Sequence, residues 1–167
     1  RNGDAAYPYR QNSDFLYLTG FEEPEALLVL APGRAAAEQI LFCRDHDRRA
    51  ERYDGERLGP ERAAGALALD DAFPSGDVDE ILPGLLEGRQ RIYFCVGADP
   101  EFDRRVMAWV HEVRTRIGSD GHPPHEFVDI GHLLHDARLV KSPAEQRMMR
   151  EAARISAAAH RRAMERV

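Results

Sequence analysis

Seven histidines and two cysteines are where chemistry would first be sought in this chain. His132, His135 and Asp136 form the densest local group, two imidazoles three residues apart with a carboxylate beside them, as a divalent ion on a helix face would need. Histidines at that spacing are common without a metal, so the group reads as an ordinary helix face. His122 and His125 flank two prolines whose turn splays the rings, a poor start for a metal site. Cys43 and His46 could suggest a nucleophile and its base, but Cys43 closes an apolar run, and catalytic pairs meet in space rather than in sequence. No GxSxG elbow, phosphate loop, GxGxxG or HExxH is present. The residues alone yield no catalytic set, and they point to part of an enzyme or to a binding module.

The chain's bulk properties narrow the field. At 167 residues, 43% hydrophobic and 31% charged, it is long enough to bury a core and reads as a soluble globular domain. Its net charge of −6 leaves no cationic excess for phosphates, which argues against a nucleic-acid binder. No apolar run approaches the roughly 20 residues that span a bilayer, no signal peptide is read, and the cytoplasm is the expected compartment. Lys141 is the only lysine and the other 22 basic residues are arginine, a bias of GC-rich bacterial genomes. Cys43 and Cys95 each end an apolar run, and both are expected as buried thiols. The start at Arg1 and the end inside a helical pattern suggest a piece of a larger protein.

The elements follow from periodicity. Residues 15–18 and 26–31 are continuously apolar, as strands covered on both faces are. Strands are expected at 15–19, 26–31 and 39–43, joined by links too short for a crossover helix and therefore forming an antiparallel meander. Residues 44–76 are mostly polar, and the dense charge run 44–52 reads as a solvated surface, with an anion or peptide site as the functional alternative. Asp77 and Glu80 fit a capping pattern for a helix that Pro83 should kink or split. A strand at 91–96 precedes a helix capped by Asp99-Pro100, whose apolar stripe includes Trp109 as a core residue. A short strand at 127–130, a helical turn through Leu133, Leu134 and Leu139, and a long helix boxed by Ser142-Pro143-Ala144-Glu145 complete the reading.

Beside these patterns stands a resemblance. Tyr7-Pro-Tyr-Arg-Gln-Asn-Ser-Asp-Phe15, Tyr17-Leu-Thr-Gly-Phe21 and Glu23-Pro-Glu-Ala26 closely resemble the N-terminal domain of bacterial aminopeptidase P, the Xaa-Pro aminopeptidase. Glu51-x-Tyr53-x-Gly55-x-Arg57-Leu-Gly59, residues 134–138 and Lys141-Ser-Pro-x-Glu145 agree in order, so the resemblance spans the chain. It implies an α/β fold of the creatinase N-terminal type, with ribonuclease H-like architecture. A mixed sheet of about six strands would be flanked by helices, its first strand lying upstream of Arg1. Residues 1–140 would form that domain, and residues 141–167 the linker and first helix of a pita-bread catalytic domain absent from this chain.

The family's chemistry is implied only by the same resemblance. Two divalent ions, usually manganese, would be held in the absent domain by two aspartates, a histidine and two glutamates, and would activate a water against the bond before a second-position proline. No catalytic residue and no metal ligand carries over to these 167 residues, so the fragment is expected to be inactive. Its work would be oligomerisation, as a homodimer or homotetramer, and gating of a neighbouring subunit's site. Tyr53, where the family usually has tryptophan, and Asp4 are the residues expected to act on that neighbour's substrate access. Arg57 could equally pin its own loop. The alternatives are a prolidase, which cleaves Xaa-Pro dipeptides, and a non-catalytic peptide- or protein-binding module of the same fold, as in the large subunit of the FACT histone chaperone.

Overall fold

The computed structural model describes residues 9–117 and 122–166. The chain divides into two compact units, one reaching to Val128 and the other starting at Asp129.

The first unit opens on a helix, α1 (Ser13–Thr19), where a strand was expected. Asn12 caps it, its Oδ1 accepting from the backbone N–H of Asp14 at 2.9 Å and of Phe15 at 3.1 Å. The Thr19 hydroxyl donates back to the Phe15 carbonyl at 2.8 Å. Gly20, at φ +66°, closes the helix with its N–H on the Leu16 carbonyl. Four apolar residues in a row do not distinguish strand from helix, and here the caps decide.

Strands β1 (Leu27–Leu30) and β2 (Gln39–Cys43) pair antiparallel as expected, with Leu27 opposite Phe42 and Leu30 opposite Gln39. Their third neighbour is β3 (Asp71–Pro74), which lies parallel to β2, so the sheet is mixed and not a meander. Parallel pairing needs a crossover. Residues 44–70 supply it, with two short helices, α2 (Glu51–Asp54) and α3 (Pro60–Leu67). Proline at the end of β3 is tolerated because the strand lies on the sheet's edge.

A 3-10 turn leads into α4 (Val78–Leu86), where Asp77 makes no side-chain capping bond. Pro83 does not split this helix. It removes only the bond that residue 83 would have given the Asp79 carbonyl, and its ring is fully buried. After α4 come β4 (Arg91–Phe94), α5 (Pro100–Arg116) and β5 (Glu126–Asp129), and β5 pairs with β4. Asp99 caps α5 by accepting from Glu101 and Phe102. The described residues thus hold five strands in sheets of three and two, not one sheet of six.

The three-stranded sheet separates two apolar clusters. Ile40 and Phe42 of β2 face α4, α5 and β4 through Val78, Leu82, Leu85, Phe94, Val106 and Trp109. Leu41 and Cys43 face the other way, toward Phe21, Ala63 of α3 and the partly buried Phe15 of α1. The register carries this alternation into β3, where Phe73 stacks on Phe42 at 5.8 Å between ring centres. Trp109 is core, as expected, and its indole N–H donates to Asp79 at 2.7 Å. Burial works against the Asp79 carboxylate, but hydrogen bonds from Arg105 and Trp109 outweigh it and hold the carboxyl below its ordinary range. Cys95 is exposed rather than buried, because β4 ends at Phe94 and the chain turns, with Ala98 donating to the Cys95 carbonyl.

The second unit holds α6 (Gly131–Leu139) and α7 (Pro143–Met164). Lys141 donates to the Arg138 carbonyl at the end of α6. The expected capping box is formed: Glu145 N–H donates to Ser142 Oγ, and Ser142 N–H donates to the Glu145 carboxylate at 2.7 Å. Helix α7 buries none of its residues. No helix among the described residues is long and apolar enough to cross a membrane.

Because Phe42 is fully buried between α4, α5 and β3, Phe42→Ala should lower stability by about 3–5 kcal/mol. Urea unfolding followed by tryptophan fluorescence measures it, and a loss below about 1 kcal/mol would contradict this placement of the core.

Candidate functional site

The segment that leaves β2 after Cys43 and returns at α3 carries the candidate Tyr53. Arg44 emerges first, its guanidinium 3.5 Å from the Glu23 carboxylate, both side chains largely buried at 14% and 20% exposure. The other oxygen of Glu23 accepts from the backbone N–H of Leu58 at 2.7 Å. Arg57 donates to the Asp45 carbonyl at 3.0 Å and approaches the Asp54 carboxylate at 4.0 Å, so it does pin its own loop.

Between these anchors the chain folds on local bonds. Asp47 accepts from the N–H groups of Arg49 and Ala50, the first of which lies two residues on, and these bonds hold its carboxyl low. His46 Nδ1 lies 2.9 Å from Glu51, and this contact is the main reason the Glu51 carboxyl is held low. A Cβ at Gly59 would fall 2.6 Å from the His46 ring, so glycine there, at φ +69°, lets the imidazole lie against the turn into α3. Tyr53 sits on α2 at the far end of the segment and is 90% exposed. It is a surface aromatic and not part of the core. Arg48, Arg49 and Arg52 are exposed as well, the solvated face expected of the charge run, while Arg44 departs from it. Asp4 lies outside the described residues.

The remaining candidates are not brought together. Among the described residues no three His, Cys, Asp or Glu side chains gather as a metal would require. His132 uses Nδ1 to donate to the Asp129 carbonyl at 2.7 Å. A paired divalent centre therefore does not fit the residues described. Burial, with the charges of Glu23, Asp45 and Glu61 adding to it, pushes the Cys43 thiol up to about 11. It is no nucleophile at neutral pH. Spacing offered His46 only as a base for Cys43, whereas it lies against Glu51, and spacing missed Glu23. Glu23 sits in a motif read only as a marker, and its two partners lie 21 and 35 residues away.

The profile of the family described as "Aminopeptidase P, N-terminal domain" matches residues 1–93. The chain belongs to that family. An aminopeptidase P N-terminal domain of this kind is also seen in solved structures. The structure of Pseudomonas aeruginosa aminopeptidase PepP superposes with a TM-score of 0.93 at 55% identity, over 99% of this chain and 37% of the other. The Xaa-Pro aminopeptidase of Escherichia coli K12 is 39% identical over 99% of this chain and 38% of its own length. A zinc-substituted E. coli aminopeptidase P in complex with product matches with a TM-score of 0.90 at 39% identity, over 99% and 38%. The chain therefore spans well under half the length of the relatives it matches.

In this aminopeptidase P domain the two cysteines should differ sharply toward a maleimide at neutral pH. Cys95 is exposed, whereas Cys43 is buried and protonated. Mass spectrometry of the native protein should find label at Cys95 at least 10-fold before Cys43. Equal labelling would contradict the burial of β2.

Proposed function

We propose that this chain is the N-terminal part of a metal-dependent Xaa-Pro aminopeptidase, which releases the first residue from peptides with proline in second position. The observation that carries the reading is similarity over 99% of the chain, at 39% identity to a protein named Xaa-Pro aminopeptidase and at 55% to one named aminopeptidase PepP. On this reading two divalent ions, manganese by resemblance, are held by residues outside this chain. The zinc-substituted form of the E. coli relative is in keeping with a metal site in that protein. The fragment's own work is oligomerisation, as a homodimer or homotetramer in the cytoplasm, and control of access to a neighbouring subunit's site. Tyr53 suits that task. A ring that its own fold leaves 90% exposed is available to line another subunit's pocket with an aromatic face for proline. Asp4 is assigned to the same entrance by resemblance alone. The six-stranded sheet belongs to this proposal too: β1 and β4 each have one side without a strand among the described residues, where a further strand could pair.

The test uses the longer protein that carries this chain, assayed with manganese on Xaa-Pro-Xaa tripeptides and on Xaa-Pro dipeptides. Cleavage of the tripeptides before proline is expected, with no turnover by the 167-residue fragment. Cleavage of the dipeptide alone would make the protein a prolidase, and turnover by the fragment would overturn the division of labour.

A further inference from the structure

Helix α2 is four residues long, too short to hold itself in water. Tyr53 can keep a fixed position only if the ends of its segment are fixed, and both ends meet at one side chain. One oxygen of Glu23 faces Arg44, the first residue after β2, and the other accepts from Leu58 N–H, just before Gly59 opens α3. A single carboxylate thus closes the base of residues 44–58. Glu23 reaches a third element through its backbone: its carbonyl accepts from Gln11 Nε2 at 2.8 Å. Gln11 is itself tied into the polar lead-in, accepting from the Tyr9 hydroxyl and the Asn12 N–H. Arg44 and Arg57 each leave Nε buried without a hydrogen-bond partner among the described residues, so acceptors are scarce at this base and Glu23 has no visible substitute.

We propose that Glu23 is a positioning residue for substrate access: by joining Arg44, Leu58 and Gln11 it sets the place of Tyr53 relative to the lead-in downstream of Asp4. This rests on the reading of Tyr53 given above, and two separate readouts keep the two apart. Glu23→Gln is the variant of choice. It preserves an acceptor for Leu58 N–H but removes the charge facing Arg44.

The first readout is tryptic cleavage of the longer protein at the exposed Arg48, Arg49 and Arg52. Glu23→Gln should speed cleavage there at least 5-fold while cleavage at exposed arginines of α7 stays unchanged. An unchanged rate at 48–52, or an equal rise at both places, overturns the clasp. The second readout is steady-state kinetics on a Xaa-Pro-Xaa peptide with manganese. Tyr53→Ala and Glu23→Gln should each raise KM several-fold with kcat within about 2-fold, and the double variant should be no worse than Tyr53→Ala. Multiplying effects would show that Glu23 does not act through Tyr53 and would overturn the proposal. An unchanged KM in Tyr53→Ala would instead sink the reading of Tyr53, with cleavage still reporting on the clasp. Should Glu23→Gln fail to fold, Arg44→Gln, which leaves the Leu58 bond intact, takes its place in both measurements.

Discussion

Strand β2 is surrounded on every side, and the arrangement of the first unit depends on that. It pairs with β1 along one edge and β3 along the other, and Leu41, Phe42 and Cys43 are wholly shielded from water. A strand's side chains alternate in direction, so four consecutive residues, Ile40 to Cys43, supply both apolar clusters, two to each. A one-residue slip would exchange the pairs Ile40/Phe42 and Leu41/Cys43 between unlike surroundings: a broad face built by α4 and α5, and a narrower one built by Phe21, Ala63 and Phe15. The register is thereby locked, and with it the point at which Arg44 leaves the sheet. The segment that carries Tyr53 starts from that point.

How much of this was legible in the sequence depended on whether a segment carried its own apolar run and end signals. The strands expected at 26–31 and 39–43 are present, the first as Leu27–Leu30, and α5 and α7 announced themselves through proline after a capping Asp or Ser. Residues 15–18 misled because a short apolar run has no period to read. The informative signals lay at its flanks, Asn12 before and Gly20 after. Strand β3 escaped notice for the opposite reason. Asp71-Ala-Phe-Pro74 offers little hydrophobicity of its own and is recruited by tertiary pairing with β2. Without it the crossover was invisible, and a meander was the only reading left. Cys95 was misjudged because its strand stops one residue short of it.

The site was less legible than the fold. Motif resemblance led to Tyr53, and the fold leaves its ring exposed. The residues that hold its segment belong to three separate stretches of chain, around positions 11–23, 44–47 and 57–59, and no local pattern links a glutamate to an arginine 21 residues on and an amide 35 residues on. His46 and Gly59 show the same difficulty in miniature. The glycine has meaning only once the ring that lies against it is known.

An ionic clasp is a poor way to make a loop stable. Well-packed apolar residues of similar volume often do as well or better than a buried ion pair, whose attraction must first repay the desolvation of both charges. Here the balance is worse than usual, because Arg44 and Arg57 each leave a buried Nε–H unmatched, a cost of roughly 1–3 kcal/mol apiece. Directionality is what apolar packing could not supply. A carboxylate with one oxygen on Arg44 and the other on Leu58 N–H defines how the two ends of the segment lie relative to each other, where a greasy contact would let them slide. Stability alone gives no reason for such an arrangement at the base of an exposed tyrosine. The proposed role of Tyr53, for which the ring must stand in one place, does.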